Sequence, residues 1–245
     1  MLYIFDGSES GFLTAFLDAF HDENALISSK QEQLILGQTP VFVQTDEGRA
    51  EKAKKRLLEL DGGCIRELDL LLRCGQADNE QVAFAYLRTL ANVKKPVRNR
   101  LSDENVFAAV EYIRKVKLEI HHFHGFIRFI ECASGALYAP FSPDNDICDL
   151  LVPHFRARLP AFPFVLHDVK RKKAAVYGGK DVFVASLDKA DVLLSADELA
   201  LQRLWKGYYN AVNIPSRERL KQMRGYMPAR YWAFMPEKNG DLPQT

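Results

Sequence analysis

Apolar residues change their spacing several times along this chain, and each change marks a new element. Residues 2–5 (LYIF) are uniformly apolar and read as a short buried strand. Asp6-Gly7-Ser8 then turns into a helix carrying Phe12, Leu13, Phe16, Leu17 and Phe20 at helical spacing. Short apolar runs at 25–28 and 40–44 read as strands, so residues 1–45 form a small β-α-β-β element. From Asp46 the period becomes helical. Ala50, Ala53, Leu57 and Leu60 make one stripe, which Gly62-Gly63 stops. Further helices are predicted over 65–73 and 79–91, and one after Ser102 with Val106, Val110, Ile113 and Val116 inward. Residues 46–120 therefore read as a helical bundle.

Beyond residue 120 the pattern alternates. Phe123, Ile127 and Phe129 are expected on one face of a strand, with His122, His124 and Arg128 on the other. Ala133-Ser134-Gly135 turns this strand into a second one, 136–141. Ser142-Pro143-Asp144 has the composition of a helix start, followed by the stripe Ile147, Leu150, Leu151 and Phe155. Strands are predicted at 164–169, 173–177 and 181–186. Ser195 and Glu198 make a capping box for a helix bearing Leu201, Leu204, Trp205, Tyr208 and Val212. The expected fold is α+β, an antiparallel sheet of pattern β-β-α-β-β-β with helices. It occupies 121–235, and 236–245 reads as a loose tail; all segments are expected to form one compact unit.

Composition narrows the class. In 245 residues, 47% are hydrophobic and 27% charged, which excludes a disordered chain. No apolar run reaches the length of a membrane span, and the N-terminus lacks a secretory pattern, so a cytoplasmic protein without membrane contact is expected. Cys64, Cys74, Cys132 and Cys148 form no C-x-x-C pair and are expected to be reduced and mostly buried. Walker, G-x-S-x-G, H-E-x-x-H and G-x-G-x-x-G motifs are absent from the sequence, and no cofactor is expected.

The net charge of +1 hides an asymmetry. Residues 1–45 carry one Lys against six acids, a balance of −5, whereas residues 150–232 carry 15 Lys+Arg against 7 Asp+Glu, a balance of +8. Such a basic half suits a polyanion partner. Within it, residues 200–232 interleave cations with Trp205, Tyr208, Tyr209, Tyr226, Tyr231 and Trp232. Cations neutralise phosphates and flat rings stack on unpaired bases, the combination a single-strand or flipped-base site needs. The expected nucleic-acid contacts are Arg217, Arg219, Lys221, Arg224 and Arg230. Tyr231 and Trp232 are expected as stacking rings, the 170–173 tip (Lys170, Arg171, Lys172, Lys173) as a phosphate clamp, and Arg128 beside them. His121, Asp144, Asp146 and His154 are the candidate acid–base groups, on the alternative that the chain is an enzyme acting on a base or nucleotide. Two histidines on one strand face fall short of a metal site, and no metal is expected.

Five segments carry a family resemblance. They are Phe5-Asp6-Gly7-Ser8 with Gly11-Phe12, the stretch His121–Phe129 (HHFHGFIRF), Pro143–Ile147 (PDNDI), Pro153-His154-Phe155, and Leu204–Tyr209 (LWKGYY) with Met227–Trp232 (MPARYW). In order and spacing the chain resembles, over about residues 2–237, a bacterial family called "probable DNA metabolism protein". That resemblance implies an association with a radical-SAM protein of DNA repair, and a relative of the domain occurs fused to a uracil-DNA-glycosylase-like domain. It implies a DNA-repair or DNA-modification accessory protein, with single-stranded or base-flipped DNA and the radical-SAM protein as partners. A module that binds only the radical-SAM protein is the remaining alternative.

Overall fold

The computed structural model describes residues 1–30, 40–214 and 219–239. Its contacts divide the chain into two units, Met1–Lys117 and Leu118–Thr245.

In the first unit, β1 (Leu2–Ile4) lies between β2 (Leu26–Ser28) and β3 (Pro40–Phe42), parallel to both. Helix α1 (Glu9–Ala19) follows β1 through a turn that the side chains specify. Gly7 takes φ +84°, and Ser8 caps the helix by accepting the Gly11 N–H at 2.9 Å. The Asp6 carboxylate accepts from the Ser8 amide and hydroxyl and from Thr45. Those bonds, the Ser8 hydroxyl foremost, hold its carboxyl below the usual range. Helices α2 (Glu47–Leu60), α3 (Cys64–Leu72) and α4 (Asn79–Val93) then pack together, with α2 against α1 and α4 against β2. The small sheet and the helices thus share one core, in which Phe12, Phe16 and Phe84 are fully or almost fully buried. The free edge of β2 is covered by α4: Gln81 bonds both Ala25 and Ile27, and Glu80 takes the Ser29 amide.

The unit boundary falls within α5 (Glu104–Phe126), and here the sequence reading is corrected. His121–Phe126 are the last turns of this helix, not a strand. The alternation of Phe123, Ile127 and Phe129 is outweighed by the series Val106, Ala109, Ile113, Val116, Glu119, Phe123, buried at steps of three and four.

In the second unit a five-stranded sheet has the order β4 (Ile130–Glu131), β5 (Leu137–Phe141), β6 (Phe164–Asp168), β7 (Lys173–Tyr177), β8 (Val182–Ser186). The fold is mixed α+β with antiparallel strands, but the sheet is not wholly antiparallel. β5 and β6 run parallel, because the helical connection between them is a crossover rather than a hairpin. That connection is a 3-10 turn at Asp149–Leu151 followed by α6 (Val152–Arg158). The helix therefore starts later than Ser142-Pro143 suggests, and Asp144 and Asp146 lie in a loop ahead of it. The Ser195–Glu198 capping box also does not form. Glu198 is buried and accepts the Glu131 amide at 2.9 Å, so it ties α7 (Glu198–Val212) to the sheet. Helix α8 (Leu220–Tyr226), a 3-10 segment at Ala229–Phe234 and α9 (Pro236–Asn239) complete the described chain. The first part of the expected tail is thus a helical turn packed on α7. No helix among the described residues is long and apolar enough to cross a membrane. All four cysteines are free, and three are buried.

Candidate nucleic-acid interface

Glu119 organises much of the chemistry in the second unit. Its place on the inward stripe of α5 buries the carboxylate to 4% exposure. A buried carboxylate needs donors on its lone pairs. It accepts from the Asp144 amide (2.9 Å), the Asn145 amide (2.8 Å), the Asn145 side chain (2.6 Å) and the Tyr231 hydroxyl (3.1 Å). Arg230 reaches it at 3.5 Å and pairs with Asp144 at 2.7 Å. Burial, with Glu119 beside it, pushes the Tyr231 hydroxyl upward, so it stays protonated.

The expected stacking role of Tyr231 is thereby corrected, and the expected contact Arg230 is engaged within the protein. The Tyr231 ring, 3% exposed, is 4.4 Å from Phe123 by centroids and offers no face for stacking. Arg230, half-exposed, is already shared by two carboxylates.

The 170–173 tip is also largely neutralised from within. Lys172 takes φ +53°, and fully buried Asp168 accepts the amides of Lys170 and Arg171 at 3.1 Å each. The Arg171 guanidinium bonds Asp168 (3.0 Å) and the carbonyls of Pro143 and Asp144. Lys172 pairs with Asp188 at 2.6 Å, and Lys173 with Asp146 at 2.8 Å and Asp149 at 3.5 Å. Arg171 and Lys173 therefore fasten the Asp144–Asp149 loop to the hairpin, while Lys170 is exposed. Arg128 is likewise occupied. It pairs with Glu237 at 2.7 Å, bonds the Gly125 carbonyl and lies under the Trp205 ring at 5.6 Å.

The candidate acid–base groups do not assemble into a catalytic pair. Asp144 and Asp146 are held by Arg230 and Lys173, and His154 stacks on His124 with centroids 4.0 Å apart and planes within 11°. Both stacked rings bury an Nε2 that has no hydrogen-bond partner. Burial, and then the neighbouring His154, lowers the pKa of His124; burial also lowers that of His122. His121 is exposed on α5. No group of three metal-binding side chains exists among the described residues. The His167 ring accepts from the Tyr138 hydroxyl at 2.6 Å, and its Nε2 donates to the Leu187 carbonyl at 2.9 Å.

The outward cations and rings lie on α7, on α8 and at the start of α8. Trp205, Tyr208 and Tyr226 are 40%, 60% and 70% exposed. Arg203, Arg219, Lys221 and Arg224 are exposed, and the only acid of α7, Glu198, is turned inward. Arg219 and Lys221 line an open hollow with Leu220 and Gln222. Trp232 is half-buried. Its indole N–H donates to the Met227 carbonyl at 3.1 Å, and its ring lies 5.8 Å from Arg224 and 5.5 Å from Lys238. Arg217 lies outside the described residues. The sequence pattern does not single out Glu119, Glu237 or Asp168 as organising groups. For Glu119 a signal exists, because it falls three after Val116 and four before Phe123 on the inward stripe.

Residues 77–237 match the model of a domain of unknown function, DUF4130. No curated protein and no solved structure matches the chain.

Proposed function

The chain belongs to the DUF4130 family, and on that premise we propose that it is a nucleic-acid-binding accessory protein of DNA repair or modification. One observation carries the reading: three exposed rings on α7 and α8 stand with four exposed cations on and just before those helices, while the acid of α7 is buried. The phosphate contacts are Arg203, Arg219, Lys221 and Arg224, and the stacking rings are Trp205, Tyr208 and Tyr226. Arg171, Lys173, Arg230 and Tyr231 support the neighbouring loop instead of touching the ligand. The test is a titration of a fluorescent single-stranded oligonucleotide at several salt concentrations. The reading expects binding that weakens steeply with salt and quenches tryptophan emission. Absence of binding at low salt overturns it.

A second reading, a docking module for the radical-SAM protein implied by the sequence resemblance, is favoured by the same helix. Leu201, Leu204, Trp205, Tyr208 and Val212 are 40–70% exposed and follow helical spacing along α7. Leu201→Ser with Leu204→Ser separates the two readings. Docking alone predicts co-purification with that protein that the double variant abolishes, and no oligonucleotide binding by the wild-type chain.

A further inference from the structure

Arg128 is held on every side of its plane. Its Nε and Nη2 donate to Oε1 of Glu237 at 3.0 and 2.7 Å, and its Nη1 donates to the carbonyls of Gly125 and Ile127 at 3.0 and 3.2 Å. A guanidinium engaged in this way is fixed in orientation and keeps little of its donor set for a phosphate. Its flat face remains, and Trp205 occupies it, with the ring centroid 5.6 Å from the Arg128 Cζ. The Glu237 side chain is 4% exposed, so the ion pair is sheltered while the ring in front of it reaches solvent. Burial pushes the Glu237 carboxyl upward. The Arg128 bonds foremost, with the Trp205 side chain contributing, bring it below the usual range, so it stays ionised.

The other exposed rings lack this support. Among the described residues no cation lies over Tyr208 or Tyr226. Tyr208 stands beside Trp205, with centroids 5.8 Å apart and planes tilted by 31°. The residue after Glu237, Lys238, bonds the Tyr209 hydroxyl and lies 4.7 Å from that ring. Helix α9 thus grips α7 through successive side chains, although its residues read as a loose tail in the sequence.

We propose, on the nucleic-acid reading of α7 and α8, that Arg128 and Glu237 are positioning residues for Trp205. They set its ring for stacking on an unpaired base and touch no part of the nucleic acid themselves. A ring that is free to rotate loses that freedom when a base stacks on it. Trp205 has given it up before the ligand arrives, so more of the stacking energy appears as affinity. Arg128 covers one face of the indole, so a single base stacks on the other.

Two measurements on the full chain test this. The chain has two tryptophans, so Trp232→Phe leaves Trp205 as the one emitter for time-resolved fluorescence anisotropy without nucleic acid. Little fast motion is expected. Adding Arg128→Lys, which keeps a cation beside Glu237 but removes the flat face, should about double the amplitude of the fast component. The second measurement titrates a labelled single-stranded oligonucleotide. Arg128→Lys and Glu237→Gln should each weaken binding about threefold, the effect of one exposed cation–π contact. The slope of log K against log salt should stay at the wild-type value, because no phosphate contact is lost.

For Glu237→Gln the sign is decisive, and it decides the matter even if Arg128→Lys fails to fold. Removing a negative charge near a phosphate ligand by itself strengthens binding. A merely structural role would lower the unfolding midpoint and leave binding by the folded chain unchanged. Wild-type binding that Glu237→Gln retains or strengthens overturns this proposal alone, and so does a Trp205 decay that Arg128→Lys leaves unaltered. A wild-type chain that binds no oligonucleotide at low salt overturns the nucleic-acid reading and this proposal together.

Discussion

Glu119 shows how one buried charge can hold a loop. Its two oxygens collect two amides, one carboxamide and one phenol, so removing the carboxylate strands several buried donors at once. Glu119→Ala should cost about 2–4 kcal/mol in urea unfolding. Glu119→Gln keeps the volume but sets an NH2 group against donors, and should recover only part of that loss. The stacked pair His124–His154 makes a different prediction. Burial lowers the His124 pKa in the folded state, so the unfolded chain binds the proton more readily. Stability from this group is complete above the unfolded value of about 6.5 and declines as pH falls below it. His124→Phe, which retains a flat ring, should reduce the stability lost between about pH 7 and about pH 5, read by urea melts at both ends.

At the scale of elements, the β1–α1 turn is specified almost entirely by local residues. Gly7 supplies the positive φ, Ser8 the cap, and Asp6 the acceptor that locks both. Gly11 matters for space. A Cβ there would stand 2.1 Å from the Asp6 carboxylate oxygen, inside van der Waals contact. Gly11→Ala should therefore expel Asp6 from the turn and cost about 1–3 kcal/mol in thermal or urea unfolding. Helix α7 is the opposite case. Its periodicity is that of a core helix, yet only Glu198 and Gln202 are buried on it. An amphipathic pattern fixes which residues share a face; it leaves open whether that face meets the protein's own interior.

At the scale of the molecule, the charge asymmetry resolves into two kinds of cation. Arg128, Arg171, Lys173 and Arg230 are consumed by Glu237, Asp168, Asp146 and Asp144. Arg219, Lys221 and Arg224 are exposed on and beside α8. Changing those three to Ala should flatten the salt dependence of oligonucleotide binding by about 2 in the slope of log K against log salt. The same change at Arg171 should leave the slope nearly unaltered and lower the unfolding midpoint instead. Anisotropy titrations at several salt concentrations distinguish the two outcomes.

The sequence by itself determined the class of the fold, the N-terminal β-α-β-β element, most helices between residues 46 and 117, and the strands from β5 to β8. These depend on local signals: glycine turns, apolar runs and helical stripes that neighbours in the chain can express. The tertiary structure alone decided the rest. It extended α5 through the histidines, because burial of Glu119 and Phe123 on one helical stripe outweighed a brief alternation. It made β5 and β6 parallel, because an intervening helix crosses over. It also sorted the cations, since whether an arginine faces a phosphate or a carboxylate depends on residues as far away in sequence as Glu119 is from Arg230. Charge is written in the chain, but its pairing is a property of distance in space.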